Sequence, residues 1–254
     1  MAAIEHTVRG AITEILLNRP DKRNALSDEH FVELTALARH VAQSSTRCVV
    51  ISGAGGAFCA GRDISNTDVA ATDAATLIQD KINPLFIALR DIPVPTIAVV
   101  EGACVGGGFG IAFACDIILA AADARIGSPF GNIGILPDSG IHHHLCSLLG
   151  YHRACELLFT GRLLSGTQAS ACGLINRAYA PTELHPAARD MARQIAEGPT
   201  MAFKGSKRIL QRDGPLGDVL DAEAAGQGDV FRTADAAEGF TAFQQKRKPQ
   251  FTGR

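Results

Sequence analysis

Apolar and polar positions alternate along "GAITEILLNRP" from Gly10, and the pattern stops at Pro20, which predicts a strand running into a turn. The spacing then changes. In "NALSDEHFVELTALARHVAQ", Phe31, Leu34, Leu37, Ala38 and Val41 recur at helical intervals, predicting a helix with Ser27 as its N-cap. Two unbroken apolar runs, "RCVVISG" and "TIAVVEG", read as short buried strands, the second ended by Glu101. "FGIAFACDI" reads as a buried helix leading to a further strand, "IILAA". From Ile141 the period is helical again, with Leu145, Leu148 and Leu149 on one face. Beyond Pro186 strand signals stop, and helices are expected between breaks at Gly198-Pro199, Gly214-Pro215 and Gly226. Strands alternating with helices, then helices alone, predict an α/β core with a helical C-terminal region. No internal repeat or low-complexity segment interrupts this order.

Composition narrows the picture mostly by exclusion. A chain of 254 residues, 46% hydrophobic, can bury the core of one large domain, or of one domain with an appendage. Its formal charge of −2 offers no basic surplus for nucleic acid or an anionic membrane, and the one basic run is Lys246-Arg247-Lys248. Thr96 to Ala122 is the most apolar stretch, yet Glu101, Asp116 and a glycine cluster break it below the ~18 apolar residues of a membrane span. Glu5, His6 and Arg9 interrupt any apolar leader, so a soluble, cytoplasmic protein is expected. The seven cysteines form no CxxC and lie mostly in apolar runs, as buried free thiols do in a reducing compartment; no metal site is expected.

Two glycine-rich segments remain, "GGAFCAGRDI" from Gly55 and "VEGACVGGGFG" from Val100. Neither GxSxG, GxGxxG, a Walker A motif nor HExxH occurs in the chain. What such segments offer is bare backbone. Two rigidly aimed N–H groups can hold an enolate or a tetrahedral oxyanion, each lowering the barrier by roughly 3 kcal/mol, and a helix N-terminus assists. Taken singly, either cluster is better accounted for by tight turns and close packing.

Together with their neighbours, the two segments carry a resemblance. "LNRPDKRNAL", "GAGGAFCAGRDI", "PTIAVVEGACVGGGFGIAFACDI", "ADARIGSPFGNIGILPDSG", "LLFTGRLLSGTQASACGLINR" and "TAFQQKRKPQF" resemble, in order, blocks of the enoyl-CoA hydratase/isomerase (crotonase) superfamily, from about Ile12 to Phe251. The resemblance implies an α/β fold, a spiral of ββα repeats (residues 1–195) followed by a helical region (196–254) that builds trimers or dimers of trimers and covers the CoA. It implies an acyl-CoA thioester as substrate, with coenzyme A as part of that substrate and no separate cofactor. The oxyanion donors would be the backbone N–H groups of Arg62 and Gly107. Arg23 and Ala25 match the contact to the CoA nucleotide, Ala60, Asp63 and Ile64 the adenine and pantetheine lining, and Phe243 and Lys246 the closing C-terminal helix. Each has an ordinary alternative: Arg23 as a surface cation, Asp63 as a helix cap, Phe243 as a core residue.

Hydratases of this family use two glutamates, and here those positions read Gly110 and Phe130, neither of which moves a proton. The remaining acid is Asp138 in "GILPDSG", at or near the place of the single base in isomerase-type members. A pocket of Phe130, Ile135 and Leu136 would raise its pKa by desolvation, whereas a role as N-cap of the following helix would lower it. Relatives commonly continue with glycine, threonine and an aromatic; this chain has Ile141 and three histidines, expected to form a solvated or subunit-facing cluster, the alternative being that His142 or His143 faces the acyl pocket and assists a proton transfer. Residues 66–90 are expected to shape the acyl pocket. The readings left open are an acyl-CoA isomerase using Asp138, another lyase or hydrolase on the same scaffold, and a non-catalytic acyl-CoA-binding protein.

Overall fold

The alternating N-terminal stretch folds as an antiparallel hairpin of β1 (Ile4–Arg9) and β2 (Ile12–Leu17), and in β2 Thr13, Ile15 and Leu17 form the buried face. The computed structural model describes residues 2–254. Helix α1 (Asp28–Ala42) starts at Ser27, whose N–H donates to His30 Nδ1 at 3.1 Å, and buries Phe31, Leu34, Ala38 and Val41. Next come β3 (Cys48–Gly53) and α2 (Ala74–Leu77), which runs through a π-turn (Ile78–Ile82) into α3 (Asn83–Arg90). The centre of the chain comprises β4 (Thr96–Val100), β5 (Ala103–Val105), α4 (Gly107–Phe113), β6 (Ile117–Ala121) and β7 (Arg125–Gly127). A 3-10 turn at Phe130–Ile133 precedes α5 (Ile141–Leu149), α6 (Tyr151–Thr160), β8 (Leu164–Ser165), α7 (Gly166–Ala171) and β9 (Arg177–Tyr179). The chain ends in α8 (Pro181–Ala196), α9 (Thr200–Leu210), α10 (Leu216–Val230) and α11 (Ala234–Gln244).

The strands form two sheets. The larger has the order β1-β2-β3-β4-β6-β9, parallel from β2 onward; the smaller has the order β5-β7-β8. Successive units therefore place one strand in each sheet: β4 then β5, followed by α4, and β6 then β7. This is a structural repeat without a sequence repeat, because each turn of the spiral buries different surroundings. Every residue of β4 is buried, as expected of a parallel strand covered on both faces. A short bridge between Cys59 and Cys104 carries the small sheet's pairing to the segment before Arg62, which sets that segment beside β5 and the start of α4.

The C-terminal helices break as expected at Gly198-Pro199, between α8 and α9, and at Gly214-Pro215, between α9 and α10, but not at Gly226. Pro186 lies inside α8, where Leu184, Ala188, Ala192 and Ala196 bury a continuous stripe that offsets the lost backbone hydrogen bond. Gly226 lies inside α10, and a Cβ there would stand 3.6 Å from Ile209 Cδ1, so a small residue serves the close approach to α9. Lys207 of α9 reaches back to the large sheet, donating to Asp116 at 2.7 Å and to the Val94 carbonyl at 3.2 Å. Leu145 is buried on α5, but Leu148 of the same stripe is 48% exposed. Among the cysteines, Cys48, Cys59, Cys104 and Cys115 are buried free thiols, while Cys146 is exposed. No described helix is long and apolar enough to cross a membrane.

Candidate active site

The two glycine-rich segments meet. Leu26 pairs with the strand-like stretch at Arg62: its N–H donates to the Gly61 carbonyl and its carbonyl accepts from Asp63, both at 2.8 Å. In a parallel bridge this alternation turns the intervening Arg62 N–H to the opposite side, where it meets no acceptor among the described residues. Gly107 opens α4, so its N–H is one of the unpaired donors of a helix start. The two lie together: a Cβ on Gly107 would stand 3.8 Å from the Arg62 nitrogen, and a Cβ on Gly61 would stand 3.1 Å from the Gly107 nitrogen. Gly61 has φ +90° and only 2.9 Å between that Cβ position and the Val105 carbonyl oxygen, so glycine is required there on both counts. Phe31 from α1 stands 3.3 Å from the Gly107 Cβ position and Phe130 stands 3.2 Å from that of Gly106, walling the turn on two sides. The Arg62 side chain turns away to a 2.8 Å ion pair with Asp28.

Beside this turn the loop after β7 presents Asp138. It does not cap α5, whose N-cap is Gly140; instead its carboxylate accepts the Ser139 hydroxyl at 2.6 Å and its carbonyl accepts the Ile141 N–H at 3.1 Å. Burial pushes its pKa above the ordinary carboxylate value, while the Ser139 hydroxyl and the Arg62 guanidinium pull the other way. Of the three residues expected to enclose it, Ile135 and Leu136 stand 47% and 77% exposed. With Pro137, His142, Tyr151 and Phe159 they line a cavity of about 730 Å³. His142 and His143 are exposed, and the inward histidine is His144, 5.9 Å from the Phe113 ring. Burial pushes its pKa down to about 4, so it is neutral at pH 7. Among the described residues no cluster of metal-ligating side chains occurs.

At residue 110 the structure is crowded. A Cβ there would come within 2.6 Å of both the Cβ and the carbonyl oxygen of Ser139, and within 2.7 Å of the Phe86 ring from α3. No side chain fits, which accounts physically for the glycine where a glutamate stands in two-glutamate hydratases. Phe86 and Ser139 were not singled out in the sequence, since only the folded chain brings α3, α4 and this loop to one point. Asn24 was missed likewise: fully buried, with φ +58°, it donates to the Ala54 and Ala57 carbonyls at 2.9 and 2.7 Å and so pins the segment leading to Arg62. Its neighbours in "KRNA" were a visible signal.

The residues matched to CoA contacts fall into two groups. Arg23, Ala25, Ala60 and Asp63 gather on one rim: the Arg23 carbonyl accepts the Ala60 N–H at 2.9 Å, and Arg19 joins the Ala25 carbonyl at 2.6 Å to Asp63 at 3.3 Å. Asp63 caps no helix; it accepts from the Ser65 N–H and hydroxyl, which hold its pKa below the usual value. Ile64 follows, 48% exposed. Phe243 is not a core residue: 84% exposed on α11, it lies in a groove with Phe231, Phe240 and Phe251, and Lys246 is exposed just beyond the helix.

A profile of the enoyl-CoA hydratase/isomerase family matches residues 7–254. The chain belongs to the enoyl-CoA hydratase/isomerase family. A Rhodobacter capsulatus protein named as a probable enoyl-CoA hydratase is 35% identical over 98% of this chain and 99% of its own. The 1,2-epoxyphenylacetyl-CoA isomerase of Escherichia coli is 34% identical over 99% and 98%. The crystal structure of an enoyl-CoA hydratase from Bacillus anthracis superposes with a TM-score of 0.93, at 29% identity and 100% of both chains. The family's crotonase fold is thus the fold of this chain, while hydratases and isomerases are both named among its relatives.

Proposed function

We propose that the chain is an enoyl-CoA isomerase, with Asp138 as its one acid/base and the amides of Arg62 and Gly107 as its oxyanion donors. The supporting observation is that two unpaired backbone N–H groups lie close together at the start of α4, with the Asp138–Ser139 loop packed against Gly110 of the same helix. Withdrawing a proton next to a thioester throws negative charge onto the carbonyl oxygen. Two rigid donors facing that oxygen lower the barrier by roughly 3 kcal/mol each. Asp138 takes the proton from the α or γ carbon, the dienolate is held, and the same carboxyl returns the proton at the other end. Its raised pKa makes it the stronger base once ionised.

The preference for isomerase over hydratase rests on the crowding at residue 110, which leaves no room for a second acid, and on Phe130, whose ring carries no exchangeable proton. The rim of Arg23, Ala25, Ala60, Asp63 and Ile64 would take the CoA portion of the substrate. Phe243 and Lys246 would close over it from a neighbouring copy in a homotrimer or dimer of trimers. No cofactor, nucleic acid or membrane enters the scheme. Turnover of 2-enoyl-, 3-enoyl- and 3-hydroxyacyl-CoA esters decides it, with a ring-derived acyl-CoA added because the E. coli relative is named for one. Movement of the double bond without added water is expected, and Asp138→Asn is expected to lower it by about 10²–10⁴-fold. Hydration as the main activity, or unchanged isomerisation in Asp138→Asn, overturns the proposal.

A further inference from the structure

Ser139 is unusual in four respects. It is a non-glycine residue with φ +59°, in the left-handed region that serine seldom occupies. It is 3% exposed. Its hydroxyl donates to Asp138 Oδ1 at 2.6 Å. Its Cβ and carbonyl fill the space that any side chain at residue 110 would need. A glycine would relieve the first of these without disturbing the last turn before α5, yet the chain carries a hydroxyl there. Strained backbone that persists next to reacting groups points to a function for the side chain it presents.

We propose that Ser139 is the positioning residue of the proton-carrying carboxylate: its left-handed backbone aims the hydroxyl at Asp138 Oδ1, so that Oδ2 is the one oxygen free to move a proton. Among the described residues no side chain donates to Oδ2. An unanchored carboxylate in a part-buried site would rotate and present either oxygen; the hydroxyl removes that freedom and offsets the burial that disfavours the ionised form. The other groups near Asp138 cannot substitute. Arg62 is committed to Asp28 at 2.8 Å, α4 carries no titratable side chain, Arg90 of α3 donates to the Gln211 carbonyl, and on α5 His144 packs on Phe113 while His142 and His143 are exposed.

This inference rests on the reading of Asp138 as the base, and its test separates the two. The Asp138 carboxyl is titrated by ¹³C NMR in aspartate-labelled wild-type protein and in Ser139→Gly, the resonance being assigned by its loss in Asp138→Asn. Ser139→Gly is the informative variant because glycine takes φ near +60° freely, so thermal stability should hold or rise. The expected result is an upward shift of the Asp138 titration by about one pH unit, the size of a lost charge-assisted hydrogen bond. On 3-hexenoyl-CoA, kcat should fall about tenfold with KM unchanged, and the acid limb of kcat should move up with the titration. Ser139→Ala, which keeps the backbone strain, should shift the titration equally while lowering Tm. An Asp138 titration unmoved in both variants overturns the positioning role even if Asp138→Asn is inactive. A titration that moves while Asp138→Asn retains full turnover overturns the catalytic reading and, with it, the proposed role of Ser139 in proton transfer.

Discussion

Asp138 poses a conflict between folding and function that can be read from its surroundings. Burial raises its pKa, so the native state favours the neutral acid. A carboxyl raised in this way contributes stability that is fully present below the unfolded value, near 4, and is lost as pH rises through the native value. Above that native value the fold therefore holds an ionised carboxylate at some cost. Asp138→Asn keeps an oxygen to accept the Ser139 hydroxyl and removes the charge. It should raise Tm at pH 7 by no more than a few degrees, because part-exposure screens the penalty, and the gain should vanish below pH 4. Thermal scans across pH check this; a variant less stable than wild type at pH 7 would show that the carboxylate is held by favourable contacts instead. Combined with lost turnover, higher stability is the signature of a residue retained for chemistry.

At the scale of elements, α5 carries the opposite pH dependence. His144 packs against Phe113 with its pKa pushed down to about 4, by burial first and then by His143 and Arg90. The stability it leaves intact above the unfolded value of about 6.5 is lost as pH falls through 4. Urea midpoints at pH 7, 5.5 and 4 should thus decline more in wild type than in His144→Leu, and parallel declines would place the acid sensitivity elsewhere. The same helix shows where sequence reading ends. Its period marked α5 and Leu145 correctly, as the periods of α1 and β2 did, because burial of one face is a local property of spacing; β4, buried on both faces, was legible as an unbroken apolar run. Which of three adjacent histidines turns inward depends on where α4 places Phe113; His142 and His143 are solvated, as the favoured reading of the cluster had it, and His144 was not singled out. Likewise β1 shows little alternation in burial, and the three-residue strands β5 and β7 are too short to show a period. The meeting of Arg62 with Gly107 was legible only through the resemblance of whole blocks. The Ser139–Gly110–Phe86 interlock was not legible, since it joins three elements distant in sequence.

The whole molecule leaves its C-terminal helices with apolar surface that the single chain does not cover. Leu210 and Phe243 are each 84% exposed, Leu216 72%, Phe231 57% and Phe240 56%. Phe231, Phe240 and Phe243, with Met201 and Phe251, line one groove of about 450 Å³. A contiguous apolar face of this kind marks an interaction site more often than bare solvent-facing surface. A second apolar face, with Leu136, Tyr151 and Phe159, lies next to the Asp138 loop on a different part of the chain. Two unlike faces on one chain suit a head-to-tail contact that closes into a ring, the symmetry a homotrimer needs. Phe243→Asp tests this cleanly, because a residue so exposed in the single chain supports no intramolecular packing. The variant should keep its thermal unfolding as a monomer and its far-UV spectrum while eluting later than wild type from a sizing column. If Phe243 also covers bound CoA from a neighbouring copy, KM for acyl-CoA should rise severalfold in the same variant with kcat less affected. Unchanged elution with raised KM would assign Phe243 to substrate within one chain, and unchanged elution with unchanged KM would remove it from both roles.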